Sequence, residues 1–202
     1  MGLGGIRSYP EVMDYECDDQ LTLHELQRLE AQRKLLSIPE GVLETAWVRS
    51  AQVEAVIDAV LAVTFGADAA AYAHARHVGE WCVRIAGGLA YGPDPCFARR
   101  VGVLCDVDPA ALERVRELQH LATYVREYQI YAMKGSENPR TLSVIVAAAD
   151  EFATRIAQDN HGRAVSPNAV LRTMMKHTDE TSRPVLEALM NVVHPSKSAR
   201  VA

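Results

Sequence analysis

The stretch Leu142–Ile156, LSVIVAAADEFATRI, decides the fold. Its apolar residues Leu142, Ile145, Val146, Ala149, Phe152, Ala153 and Ile156 recur at steps of three and four. That spacing puts side chains on one face of an α-helix, and no stripe in the chain is cleaner. Asp150 stands beside it. A carboxylate taken out of water without a partner is costly, so Asp150 is either a functional ligand or one half of a buried ion pair. Arg84 and Arg155 are the arginines that would serve in the second case.

The same period extends outward in both directions. Val53, Val56, Ile57, Val60 and Leu61 form one stripe. Val78, Trp81, Cys82, Ile85 and Leu89 form another, ended by the Gly87-Gly88 and Gly92-Pro93 breakers. Val115, Leu118, Ala122 and Val125 form a third, predicting a helix with His120 near its middle. Ser166 before Pro167 is a helix start leading into Val170 and Met174. Ser182, with Pro184 in the first turn, opens a last helix through Leu186, Leu189, Met190 and Val193.

Nearer the N-terminus, Leu21, Leu23, Leu26, Leu29 and Leu36 lie among strong helix formers, as an amphipathic helix whose leucines need a cover. No segment alternates with period two, and no Asn-Gly or Asp-Gly hairpin turn occurs. The expected fold is all-α, with about seven to nine helices. Residues 1–50 are expected to be an arm with one amphipathic helix, residues 51–195 a helical domain, and residues 196–202 a disordered tail.

Composition narrows the classes of function. The 202 residues are 49% hydrophobic and 23% charged, which is ordinary for a globular chain. The richest apolar run, Val53 to Phe65, is broken by Glu54 and Asp58, so no membrane span is expected. A signal peptide is not apparent, and the expected location is the cytoplasm. A net charge of −5 with no lysine or arginine run lacks the footprint of a nucleic-acid binder. The four cysteines, Cys17, Cys82, Cys96 and Cys105, are too scattered for a disulfide framework or a zinc knuckle.

His74, Asp106, His120 and Asp150 follow one another along successive helices or their ends. Imidazole and carboxylate are ligand types for a divalent first-row metal that activates water, and helical bundles build such sites from one residue per helix. The words around these residues strengthen the pattern. His74-Ala-Arg-His-Val78 opens a helix after a short loop. Leu104-Cys105-Asp106-Val107-Asp108 stands at a turn, and Leu112 to Tyr128 follows it. Gly135-Ser-Glu-Asn-Pro139 then leads into the Asp150 helix, and Ser166 to Val193 supplies a closing pair. Together, over roughly Val53 to His194, these words resemble the HD superfamily of metal-dependent phosphohydrolases, especially its HD-GYP branch.

The departures from that family are as informative as the matches. Cys105 stands where the resemblance implies the histidine of the His-Asp pair, and Asp108-Pro109 where it implies glycine and lysine. Between Tyr128 and Gly135 there is no room for the paired-histidine and Gly-Tyr-Pro words. Ala153 and Asp159 replace an acid and a phosphate-facing arginine, and an acid at 159 repels an anion.

The resemblance therefore implies an HD-type domain with a degenerate active site, of HD-GYP or non-catalytic HDOD type. It would act as a signalling, regulatory or scaffold module through a protein partner, or through self-association by the Leu21–Leu36 helix. No catalytic residue and no cofactor is expected in that case. The alternative is a mononuclear phosphohydrolase acting on a nucleotide or cyclic dinucleotide. It would hold iron, manganese or zinc with His74, Asp106, His120 and Asp150, and with Cys105 as a further possible ligand. A third expectation is a pocket that senses a nucleotide-like ligand without chemistry.

Each residue also has a plainer role. His77 suits the surface, His120 a half-buried hydrogen bond, Asp106 the N-cap of the turn before Pro109, and Cys105 a small buried side chain.

Overall fold

A computed structural model describes residues 40–157, 165–176 and 178–194, and among these every regular element is a helix. In chain order they are α1 (Glu40–Phe65), α2 (Ala69–Gly87), α3 (Pro95–Val103), α4 (Pro109–Glu113), α5 (Gln119–Lys134), α6 (Thr141–Ala157), α7 (Pro167–Lys176) and α8 (Arg183–Val193). The chain divides into two compact units, Met1–Val48 and Arg49–Ala202. The helix expected over Leu21–Leu36, Asp159, the loop tip expected at Asn160-His161-Gly162 and the disordered tail expected over 196–202 lie outside the described residues. No helix among the described residues is long and apolar enough to cross a membrane.

Helix starts follow short acids and prolines. Asp68 accepts hydrogen bonds from the Ala70 and Ala71 amides at 3.0 Å and opens α2. Asp94 accepts from Phe97 at 2.7 Å, with Pro95 in the first turn of α3. At α4 the cap is Asp108, which accepts from Ala110 at 2.9 Å, rather than Asp106. Proline at N1 has no amide to leave unpaired, and its fixed φ suits the first turn. Ser182 precedes α8 without a capping bond of its own. Instead its amide donates to Asp179 Oδ1 at 2.7 Å, which holds the Asp179 carboxyl below its ordinary range. Gly135, at φ 70°, ends α5 in the left-handed region where a side chain is strained.

The α6 stripe forms the centre of the second unit. Leu142, Val144, Ile145, Val146, Ala148, Ala149, Phe152 and Ala153 are all buried, and α6 packs against α2, α3, α5, α7 and α8. Phe152 meets the Trp81 ring edge-on at 4.8 Å between centroids. Helices α2 and α3 cross closely, and two glycines make that possible. A Cβ on Gly79 would overlap the Val103 side chain, and one on Gly102 would overlap the Cys82 sulfur.

The third sequence stripe is not one helix. Between α4 and α5 the chain tightens, with Val115 N–H donating to Leu112 O and Leu118 N–H to Val115 O. Leu112 and Leu118 are six residues apart, about 120° from each other on a continuous helix. The break lets both reach full burial. It also moves His120 from the middle of a helix to the first turn of α5.

Candidate functional site

Asp150, on the inner side of α6, meets donors from two other helices. His74, in the second turn of α2, approaches Asp150 Oδ1 with Nε2 at 2.9 Å. Bonding to a carboxylate requires the His74 proton on Nε2. From α5, the Tyr128 hydroxyl donates to Oδ2 at 2.8 Å. Thr154, one turn further along α6, adds a long contact of 3.5 Å to Oδ1. Both oxygens of Asp150 are therefore engaged within the protein. The His74 and Asp150 side chains keep 26% and 30% of their surface exposed, so the pair opens to solvent at one end.

The turn between α3 and α4 forms the next layer. Gln129 Nε2 donates to Cys105 O at 2.9 Å and to Val107 O at 3.1 Å, holding the turn that carries Asp106. Consecutive residues of α5 thus do two jobs, Tyr128 for the carboxylate and Gln129 for the turn. Asp106 is exposed as a residue, but loss of water around its carboxyl is the main cause of a raised pKa. The charge of Asp150 adds to that shift, while His74 and the Cys105 side chain oppose it.

Behind them, Cys82 and Cys105 are fully buried. Burial pushes the Cys105 thiol up, and the charges of Asp106 and Asp150 add to it. Cys82 is raised by burial and then by Asp150. Both are neutral thiols at neutral pH, and a neutral thiol is a poor nucleophile. Burial also raises Tyr128, with Cys105 and its bond to Asp150 contributing, so the phenol remains a donor.

The structure treats the four expected ligands unequally. It joins His74 to Asp150 and brings Asp106 within reach of their charges. His120 is separate. It is exposed and lies 6.3 Å from the Phe97 ring, tilted by 31°. Among the described residues, no three His, Cys, Asp or Glu side chains are arranged to hold a metal ion. As they stand, the donors do not fit the mononuclear site that the family resemblance implies.

His77 is exposed. Neither arginine considered for Asp150 serves it. Arg84 stacks 5.0 Å from the Trp81 centroid, and Arg155 pairs with Glu151 at 2.7 Å. A concavity of about 280 Å³ lined by Arg155, Val165, Ala169, Val170 and Thr173 contains none of the Asp150 partners.

Three partners escaped sequence reasoning: Tyr128, Gln129 and Thr154. For Tyr128 a signal existed. It continues the spacing Leu121, Val125, Tyr128, and a tyrosine on an apolar stripe needs a partner for its hydroxyl. Gln129 and Thr154 carry no comparable signal. Comparisons with family models, with curated proteins and with solved structures give no match.

Proposed function

We propose that this chain is a non-catalytic helical module of degenerate HD type, serving signalling, regulation or scaffolding by binding through its helix faces. One observation carries this reading: both Asp150 oxygens are taken by His74 and Tyr128. A carboxylate meant to hold a catalytic metal keeps an oxygen directed at it, with other ligands converging on the same point. Here a phenol holds the second oxygen. The cluster ties α2, α5 and α6 together. In this reading the Leu21–Leu36 segment supplies the surface for a protein partner or a second copy of the chain.

The test is metal content, measured by mass spectrometry on protein purified without chelator from medium containing iron, manganese and zinc. Substoichiometric metal is expected, together with a His74 ring nitrogen spectrum unchanged by added manganese or zinc. One metal per chain, lost in Asp150→Ala and accompanied by phosphodiester hydrolysis, would overturn the reading. That outcome would establish the mononuclear hydrolase instead.

A further inference from the structure

A second polar cluster lies away from Asp150, where α1 meets α3. Glu54, near the middle of α1, uses both carboxylate oxygens on arginines from consecutive positions. Arg99 Nη1 donates to Oε2 at 2.6 Å, and Arg100 Nε donates to Oε1 at 2.6 Å. Arg100 Nη2 also reaches Ser50 Oγ at 2.7 Å, and Glu80 stands 3.6 Å from Arg99 Nε. The Arg99, Glu54 and Arg100 side chains are only 10%, 17% and 17% exposed.

The apolar seam around this clamp is thin. From Ser50 onward, α1 fully buries only Ile57 and Leu61, with Val53, Val56, Val60 and Phe65 partly covered. By contrast, α6 buries eight apolar residues. Another ion pair of α1, Asp58 with Arg76, has side chains 55% and 39% exposed and adds little. Elements with few buried apolar contacts open at lower free energy than the core. A clamp of shielded charges, in contrast, is costly to break on one side, because the remaining charge loses its partner.

We infer that Glu54 is an ionic latch: the Arg49–Phe65 part of α1 detaches from the other helices as a unit, and its Arg99–Arg100 contact sets how often. Opening would release Arg99 and Arg100 from Glu54, with Arg99 still beside Glu80 of α2, and bare the apolar strip beneath Ile57 and Leu61 in one movement. The device depends on neither metal nor the Asp150 cluster, so it stands or falls separately from the proposed function.

Native-state amide hydrogen exchange on the full chain tests it, comparing amides of Gln52–Val63 with those of Ile145–Phe152. In the wild type the α1 amides should open with a smaller denaturant dependence than those of α6. Glu54→Gln should speed α1 exchange by about 100-fold, the loss expected when one side of a buried ion pair is removed. Arg100→Gln, which leaves Arg99 on Glu54, should speed it by about 10-fold. Phe152→Leu destabilises the core, so it should speed α6 exchange and leave α1 exchange unchanged, because it affects latched and unlatched states equally. If Phe152→Leu speeds α1 and α6 by the same factor, α1 opens only with the whole domain. The latch would then be an ordinary structural ion pair. The wild type and Phe152→Leu decide this point even if Glu54→Gln does not fold.

Discussion

The Asp150 and Glu54 clusters both centre on one carboxylate whose two oxygens are engaged, yet their chemistry differs. Around Asp150 the partners are an imidazole and a phenol, drawn from α2 and α5. Around Glu54 they are two guanidinium groups, from adjacent residues of α3. The first cluster is partly open and links three helices through hydrogen bonds. The second is more enclosed and fastens one helix by charge. The difference lies in what remains when one member is lost. A vacated phenol is a neutral polar group and the imidazole is partly exposed, whereas a vacated guanidinium is a shielded, permanent charge.

The largest effect should therefore come from the charged cluster. Glu54→Ala is expected to lower unfolding stability by about 3 kcal/mol, read as a lower urea midpoint. A loss well under that would mean that water already solvates the arginines. Tyr128→Phe removes one neutral donor from Asp150 Oδ2 and should cost about 1 kcal/mol by the same measurement. If Tyr128→Phe costs as much as Glu54→Ala, the two clusters do not differ in the way their chemistry implies.

The smallest effect belongs to Asp106, and its sign carries the information. Burial and the Asp150 charge raise its folded-state pKa above the ordinary 3.8. Below 3.8 the acid is protonated in folded and unfolded chains alike, so it costs nothing. As pH rises through the raised pKa, the folded chain carries a disfavoured charge and stability is lost. Asp106→Asn should match the wild type in melting temperature near pH 3 and exceed it at pH 7. A variant less stable than the wild type at pH 7 would show that a cation holds Asp106 as a carboxylate. A protonated His74 or a bound metal would both do so.

Legibility in the sequence followed the range of the physics involved. The α6 stripe was readable because helical period and burial are local properties of a dozen residues. The starts of α7 and α8 were readable because a proline in the first turn acts locally, through its fixed φ. The join between Leu112 and Tyr128 was misread for a physical reason. Nothing between Arg114 and Leu118 breaks a helix, and the interruption exists because Leu112 and Leu118 each found a buried position. The N-cap at Asp106 was misplaced by two residues, since Asp106 and Asp108 both precede Pro109 and local chemistry allows either.

The site shows the same division. His74 and Asp150 were both singled out, but as ligands of a metal rather than as partners of each other. They are 76 residues apart, and only the crossing of α2 over α6 reveals the 2.9 Å contact. Glu54 was noticed merely as a charge interrupting an apolar run. Its arginines lie 45 and 46 residues away.

By itself, the sequence determined that this chain builds helices, and that an acid on the α6 stripe would need company. Both follow from local period and from the cost of burying charge. Which donors keep that company, where the chain breaks between Leu112 and Gln119, and which carboxylate fastens α1 were decided only by tertiary structure. Each depends on side chains from distant helices reaching hydrogen-bond distance, and no local preference encodes such a meeting.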